Sequence, residues 1–446
     1  MDGQDDEPID IHVWLAEHPF PNYYGETFLE PMRRVADAFT KAHPGYRVVL
    51  RGMDYREIAE AVADAVAQGE PPHLAEYYAT AAQLALDTLT PEGQPYFTPI
   101  GPAIGDRAEI LGEPVVVDAV EPVARDFFSH RGELLCLPVT VTTTVLLCNK
   151  TMLDAAGVPV PRTWGELEAA CEAVTALDTG PAHGVTWPNH GWLFQQAVAL
   201  QGGVLTDRDN GHGGRAETVD LASAEVLAWA EWWRRLSDKG LYRRCEDWPD
   251  GFGAFASQEV AFTLSSSKLT HDFVLAGEEA GFEVCAAAMP HNEAVARAGN
   301  VISGHGLWLA DGLDEARREG ALAFSQFLVN ARNAAEWHRA VGFLPVTREA
   351  RDLLEREGWF DRHPHQRVPG EALAASARTP ATAGTLAGDF AGIQYAMTRA
   401  MDDVLDGADP RERFARATAE AQRLLDAHNA ACLPPDPRTP TRLEVY

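Results

Sequence analysis

Three histidines stand where chemistry is commonly done: His18, His190 and His305 each lie in a loop or at a strand end, beside Gly, Pro or Asn. Converging with a carboxylate such as Asp389, they would bind zinc or iron, or exchange protons as general acid and base. The simpler reading is three independent histidines, on the surface or stacked against a ligand. Ser265 and Lys268 form the S-x-x-K spacing of serine β-lactamase-type nucleophiles, but the Ser-Asp-Asn and Lys-Thr-Gly partner motifs are missing. A turn of small polar residues after a strand, offering hydroxyls and amides to a ligand, accounts for Ser265-Ser266-Ser267-Lys268 without any nucleophile. H-E-x-x-H, G-x-S-x-G, the phosphate-cradling G-x-x-x-x-G-K-S/T loop and a dinucleotide G-x-G-x-x-G are also absent. The cysteines (Cys136, Cys148, Cys171, Cys245, Cys285 and Cys432) are scattered, with no C-x-x-C and no metal-type spacing. They read as buried, reduced thiols, which fits a reducing compartment slightly better than an oxidising one.

These residues need a scaffold, and its elements follow from periodicity. Ile9 to Trp14 alternate as a strand, and Leu29, Met32, Ala36 and Phe39 recur at helical spacing before Pro44-Gly45. Tyr46 to Leu50 gives a second strand and residues 56–68 a second helix. This β-α-β-α order implies a parallel sheet covered by helices. Leu134 to Asn149 reads as a long two-part strand. Thr163-Trp-Gly-Glu166 is a capping box, opening a helix through Leu167, Ala170 and Val174. Trp229 and Trp233 share a helical stripe with Val226 and Leu236 and belong to a core, whereas Trp232 lies off it. Trp187 and Trp192 fall in a Gly/Pro/Asn/His loop, where an aromatic ring is a better ligand candidate than on a helix stripe. Strands are expected at Val260 to Leu264, Phe282 to Met289 and Val301 to Leu309. Helices are expected at about 314–330, 333–341, 395–405 and 411–429.

Composition narrows the function classes. The chain has 446 residues, enough for two to four domains at about 100–200 residues each. Hydrophobic residues make up 46% and charged residues 23%, so a disordered or fibrous chain is excluded. The net charge is −29, which would repel nucleic acid or an anionic membrane, and no basic patch offsets it. No stretch approaches the ~20 apolar residues of a membrane span. The acidic start, Met1-Asp-Gly-Gln-Asp-Asp-Glu-Pro8, is unlike a signal peptide. Two locations are therefore considered: the cytoplasm, if Met1 is the native start, or outside it, membrane-associated, if a signal has been trimmed.

Taken in order, several segments resemble a known family. They are Phe39-Thr-Lys-Ala-His-Pro-Gly-Tyr46, Leu137-Pro138 leading to Leu147-Cys148-Asn149-Lys150, and Val158-Pro-Val-Pro-Arg-Thr-Trp164. Ser303-Gly-His-Gly-Leu-Trp308, Ala334-Ala-Glu-Trp-His338 and Gly342-Phe-Leu-Pro-Val-Thr347 continue the series. From about residue 9 to 430 the chain is similar to the extracellular solute-binding proteins of ABC sugar importers, most of all to the glycerol-3-phosphate-binding members. The resemblance implies an α/β, two-lobed periplasmic-binding-protein-like fold of type II, with the lobes joined by a hinge that closes on ligand. It implies a first lobe of residues 9–138 plus about 310–345, and a second of 139–309 plus about 346–430. Residues 431–446 would form an extended tail. It further implies a monomer that hands a sugar-like solute to the membrane subunits of an ABC importer, without cofactor or metal. The implied ligand-binding residues are Tyr55, Tyr77, Tyr78, Thr142, Thr143, Trp192, Ser265, Ser266, Gly304, His305, Phe343 and Asp389. Rings that stack on sugar CH faces and short polar groups that bind hydroxyls are what such a ligand requires.

The departures matter. The glycerol-3-phosphate-binding members carry a ligand-binding glutamate where this chain has Ala79, arginines where it has Leu386 and Gln394, and a tyrosine at Phe343. Loss of the arginine fork argues against a phosphate ligand. The alternative function is a cytoplasmic enzyme on the same scaffold, using His305, Asp389 and His190 on a small biosynthetic substrate.

Overall fold

The computed structural model describes residues 7–432. The strands of its two main sheets are, in chain order, β1 (Ile9–Glu17), β2 (Tyr46–Asp54), β3 (Leu74–Tyr78), β4 (Phe97–Thr98), β5 (Leu137–Thr142), β6 (Thr144–Asn149), β7 (Val185–Thr186), β8 (Tyr242–Arg243), β9 (Phe262–Ser266), β10 (Val284–Ala288) and β11 (Ser303–Ala310). The first sheet has the order β2-β1-β3-β11-β4, with β5 also paired to β11. The second has the order β8-β7-β9-β6-β10.

The N-terminal β-α-β unit forms as the periodicity predicts. β1 pairs parallel with both β2 and β3. The helix Glu30–Ala42 links β1 to β2 and buries Met32, Ala36 and Phe39. The sheet is mixed, because β11 arrives from far along the chain and pairs antiparallel with β3 and with β5. Ile11, Val13, Leu74, Trp308 and Phe324 lie in one core on this sheet.

The two-part strand is real, and it joins the units. β5 belongs to the first sheet and β6 to the second, and the single residue Thr143 lies between them. In β6 the period-2 alternation serves two cores: Leu146 and Cys148 face one, Val145 and Leu147 a smaller one on the other side. The capping box forms, with Thr163 accepting from the Glu166 N–H and Glu166 reaching back to the Thr163 N–H.

The larger second core is built on tryptophan. Trp229 and Trp233 are buried, as their stripe predicts. Trp232 and Trp187 are buried too, against expectation. Trp232 stacks between Trp164 and Trp187, with ring centroids 4.9 and 5.8 Å away. The helix Trp164–Thr175 and the strand end at Thr186 cover the side of the helix Ala224–Asp238 that lies off its stripe.

The division of the chain also differs from the resemblance-based one. Residues 139–142 and 303–309, expected in the second lobe, are strands of the first sheet. Ala350, Leu354, Phe360 and Leu373, also expected there, join the first core. The helix Phe390–Leu405 and the helix Pro410–Cys432 do pack in the second core. Of the expected tail, residues 431 and 432 are helical, and 433–446 lie outside the described residues.

Candidate functional site

The register of β3, β11 and β5 assembles a polar group in an apolar setting. Tyr78 and Thr140 both lie opposite His305, and Glu76 lies opposite Leu307. Alternation therefore puts Glu76, Tyr78, Thr140 and His305 on one face of the sheet. Tyr77 points to the other face, where it packs against Phe97 and Trp308 and is 1% exposed. This corrects the expectation that Tyr77 reaches a ligand.

His305 is the centre of the group and is buried. Its Nδ1 is 2.6 Å from the Thr140 hydroxyl and 3.7 Å from Glu76 Oε1. The Thr140 hydroxyl has no other acceptor among the described residues. Nδ1 and that hydroxyl share one hydrogen bond, whose donor is set by the ring's tautomer. Nε2 is buried and has no partner. Around it stand the rings of Tyr78, Tyr55, His18 and Phe343, with centroids 5.2, 6.0, 6.3 and 6.4 Å from that of His305.

Burial sets the charge state here. It pushes His305 down to about 3 and, with the Lys268 ammonium contributing, His18 down to about 4. It pushes Glu76 up to about 8, although Glu76 accepts a 2.7 Å hydrogen bond from the Ala16 N–H. At 3.7 Å the Glu76–His305 contact is too long for a hydrogen bond, and burial holds both groups neutral rather than as an ion pair.

Gly304 serves the backbone. Its φ is +139°, and a Cβ there would lie 1.9 Å from the Thr140 carbonyl oxygen. Only glycine permits that approach of β11 to β5, beside a bulge at His305/Gly306.

Hydroxyls stitch the crossing between the units. Thr142 Oγ1 lies 2.7 Å from Ser266 Oγ and 2.8 Å from Ser267 Oγ. Thr143 is fully buried and committed to structure: its hydroxyl donates to the Val301 carbonyl and accepts from Asn300 Nδ2. Ser265 is buried on β9, and Ser303 donates to the Tyr78 hydroxyl at 2.9 Å. Lys268 does not face Ser265 as a catalytic pair. Its ammonium sits 4.5 Å from the Phe20 ring centroid, and its carbonyl accepts a 2.7 Å bond from the Tyr23 hydroxyl, which also donates to Asp272.

The second unit contributes the start of two helices. His190 caps the helix Gly191–Leu200, its Nδ1 accepting from the Trp192 N–H, and its ring centroid lies 5.5 Å from that of Trp248. Trp192 is therefore in a helical first turn, not a loop. It is 5% exposed, with its indole N–H unpartnered. The helix Phe390–Leu405 packs against the turn Ala79–Ala81, which directly follows Tyr78. Gln394 on this helix lies against Gly191, and its buried Nε2 has no partner. Asp389 is the N-cap of the same helix, with φ +44° and its carboxylate accepting from the Gly392 N–H.

His18 and His305 thus come together, while His190 and Asp389 are each engaged at a helix start in the second unit. Among the described residues, His18, His190, His305 and Asp389 do not form a group close enough to hold one metal ion. Glu76, Thr140, Phe20, Tyr23 and Gln394 belong to the region without having been singled out as ligand-binding residues. Glu76 carried a legible signal, a lone acid inside the apolar strand Leu74-Ala-Glu-Tyr-Tyr78. A separate cavity of about 480 Å³ lies on the other side of β5, lined by Val141, Leu344, Phe360 and Leu373.

Comparison with known proteins agrees with this architecture. Residues 34–367 match the family model described as bacterial extracellular solute-binding protein. The sn-glycerol-3-phosphate-binding periplasmic protein UgpB of Yersinia enterocolitica is 25% identical over 423 residues, 92% of each chain. Among solved structures, UgpB from Mycobacterium tuberculosis in complex with glycerophosphocholine superposes with a TM-score of 0.71 at 21% identity, covering 94% of this chain and 98% of that one. The sugar-binding protein MalE from Xanthomonas citri gives 0.75 at 17% identity, covering 95% and 98%. These likenesses establish the two-lobed periplasmic-binding-protein fold. No described helix is long and apolar enough to cross a membrane.

Proposed function

The chain belongs to the bacterial extracellular solute-binding protein family, and from that premise we propose that it binds a small hydroxyl-rich solute, a carbohydrate or polyol derivative, between its two units for delivery to an ABC importer. One observation carries the reading. His305 Nε2 in the first unit and Gln394 Nε2 in the second are buried polar nitrogens without partners, near the turn where the units meet. A buried polar nitrogen left unpaired costs about 1–3 kcal/mol, and a ligand rich in hydroxyls, which both donate and accept, removes that cost on both sides at once. The rings of Tyr55, Tyr78 and Phe343 supply faces on which a sugar's CH groups stack, and Ser266 and Thr142 supply short polar groups, whereas Ser265 points to the other face of its strand.

A neutral ligand fits better than a phosphate. Gln394 offers an amide where the glycerol-3-phosphate-binding members have an arginine, and Ala79 replaces their glutamate. Contacts to both units are what would favour a closed arrangement over an open one, since a ligand touching one unit alone shifts nothing. We read the protein as a monomer working in this two-state manner.

The test is a calorimetric and thermal-shift panel of mono- and oligosaccharides, polyols and glycerophosphodiesters. At least one neutral, hydroxyl-rich compound should bind one-to-one and raise the unfolding temperature. His305→Ala should weaken it by roughly 1–3 kcal/mol, the scale of one buried polar contact. Silence across the panel at millimolar concentrations would refute the reading.

A further inference from the structure

A second cluster of titratable groups adjoins the candidate region behind Tyr23. His271 sits on the helix Thr270–Ala280, whose Phe273 packs in the small core of the second sheet. His363 and His365 flank Pro364, just after the helix Trp359–Arg362, whose Phe360 packs in the first core. One ring nitrogen from each of the three lies within 4.8 Å of the other two.

Two features mark this as more than incidental packing. His271 Nδ1 and His365 Nε2 are both buried atoms with no hydrogen-bond partner. The rings are also held from outside the cluster: Tyr23 packs edge-on against His271 at 5.1 Å, and Trp359 lies 4.2 Å from His363. Unpartnered nitrogens on imidazoles fixed by neighbours are ligands in waiting.

We propose that His271, His363 and His365 form a site for a divalent transition metal with a preference for imidazole, of which Zn²⁺ is the probe, tying the helix Thr270–Ala280 of the second unit to the Trp359–Gln366 segment of the first. Three imidazoles leave a fourth, tetrahedral position for water. Zinc–nitrogen bonds of about 2.0–2.1 Å place the donor atoms about 3.3 Å apart, so the rings, whose nitrogens lie within 4.8 Å of one another, close by at most about 1.5 Å on binding. Desolvation favours the neutral rings that bind metal, holding His365 at about 4 and lowering His271 and His363.

The experiment uses the full chain without a polyhistidine tag, stripped with chelator. Co²⁺ is added first, with no substitution needed: three imidazoles in a tetrahedral site give an intense visible d–d band, whereas surface binding gives only a weak octahedral one. Zn²⁺ titration should then show one equivalent bound and a raised unfolding temperature. His271→Ala and His365→Ala should each lower zinc affinity at least tenfold, while His183→Ala, a histidine elsewhere on the second unit, should leave it unchanged. Absence of the tetrahedral cobalt band overturns the proposal. So does zinc binding that neither His271→Ala nor His365→Ala weakens.

Discussion

Thr140 and His305 face each other across the β5–β11 ladder with hydroxyl and Nδ1 2.6 Å apart, so that one ring nitrogen is satisfied by the protein and the other is left unpartnered. Thr140→Val keeps the shape and removes the hydroxyl. It should cost about 1–3 kcal/mol of stability, read by urea denaturation, because Nδ1 then becomes a buried group without a partner. It should also weaken the sugar-like ligand found by the panel, since the hydrogen bond that orients the His305 ring is gone.

Glu76 gives a pH dependence with a definite sign. Its ordinary pKa of 4.5 is raised to about 8 by burial. Between those values the folded chain holds a proton that the unfolded chain has released. The stability contributed is full below about 4.5 and is lost as pH rises through about 8. Glu76→Gln keeps the neutral form. From pH 5.5 to 8.5 the wild type should lose on the order of 3 kcal/mol more than the variant, by denaturant midpoints at each pH. His305 works in the opposite direction: lowered to about 3, it costs stability as pH falls below 6.5.

Gly304→Ala should be severe. The added Cβ meets the Thr140 carbonyl and the residue keeps a positive φ, so a loss of ~3 kcal/mol or more is expected, seen as a lower unfolding temperature.

Asp389→Ala tests whether the carboxylate caps a helix or does chemistry. A capping role predicts a loss of about 1 kcal/mol in stability with ligand affinity retained. Stability unchanged with binding or turnover abolished would reverse the assignment.

Ala79→Glu combined with Gln394→Arg restores the glycerol-3-phosphate-type pattern at two positions where the units meet. The pair should gain at least tenfold, about 1.4 kcal/mol, in affinity for glycerol-3-phosphate over wild type in calorimetry.

Much of the scaffold was legible because local rules decide it. The alternation of Ile9–Trp14, the Thr163/Glu166 cap and the Trp229/Trp233 stripe each need only a few neighbouring residues. What escaped depends on distant partners. Nothing local announces that β11 inserts between β3 and β4, or that residues 303–309 therefore belong to the first sheet. Trp232 and Trp187 are buried by each other and by Trp164, a cluster gathered from three separated segments. In the site, the resemblance pointed to Tyr77-Tyr78 as a pair, but a strand can present only one of two adjacent side chains to a given face. Asp389 reads from sequence as a ligand-binding or catalytic carboxylate because a cap is visible only once the helix boundary is known, and that helix starts at Phe390 rather than near Tyr395.

The seam at Thr142, Ser266 and Ser267, with the Tyr23 hydroxyl on the Lys268 carbonyl beside it, is made of groups that water serves nearly as well as the protein does. Parting such a seam exposes little oil. Under the two-state reading proposed above, the energetic penalty of parting is slight, and a modestly binding guest would have enough leverage to tip the balance between shut and ajar. A seam of leucines at the same place would weld the halves and make the protein a poor courier.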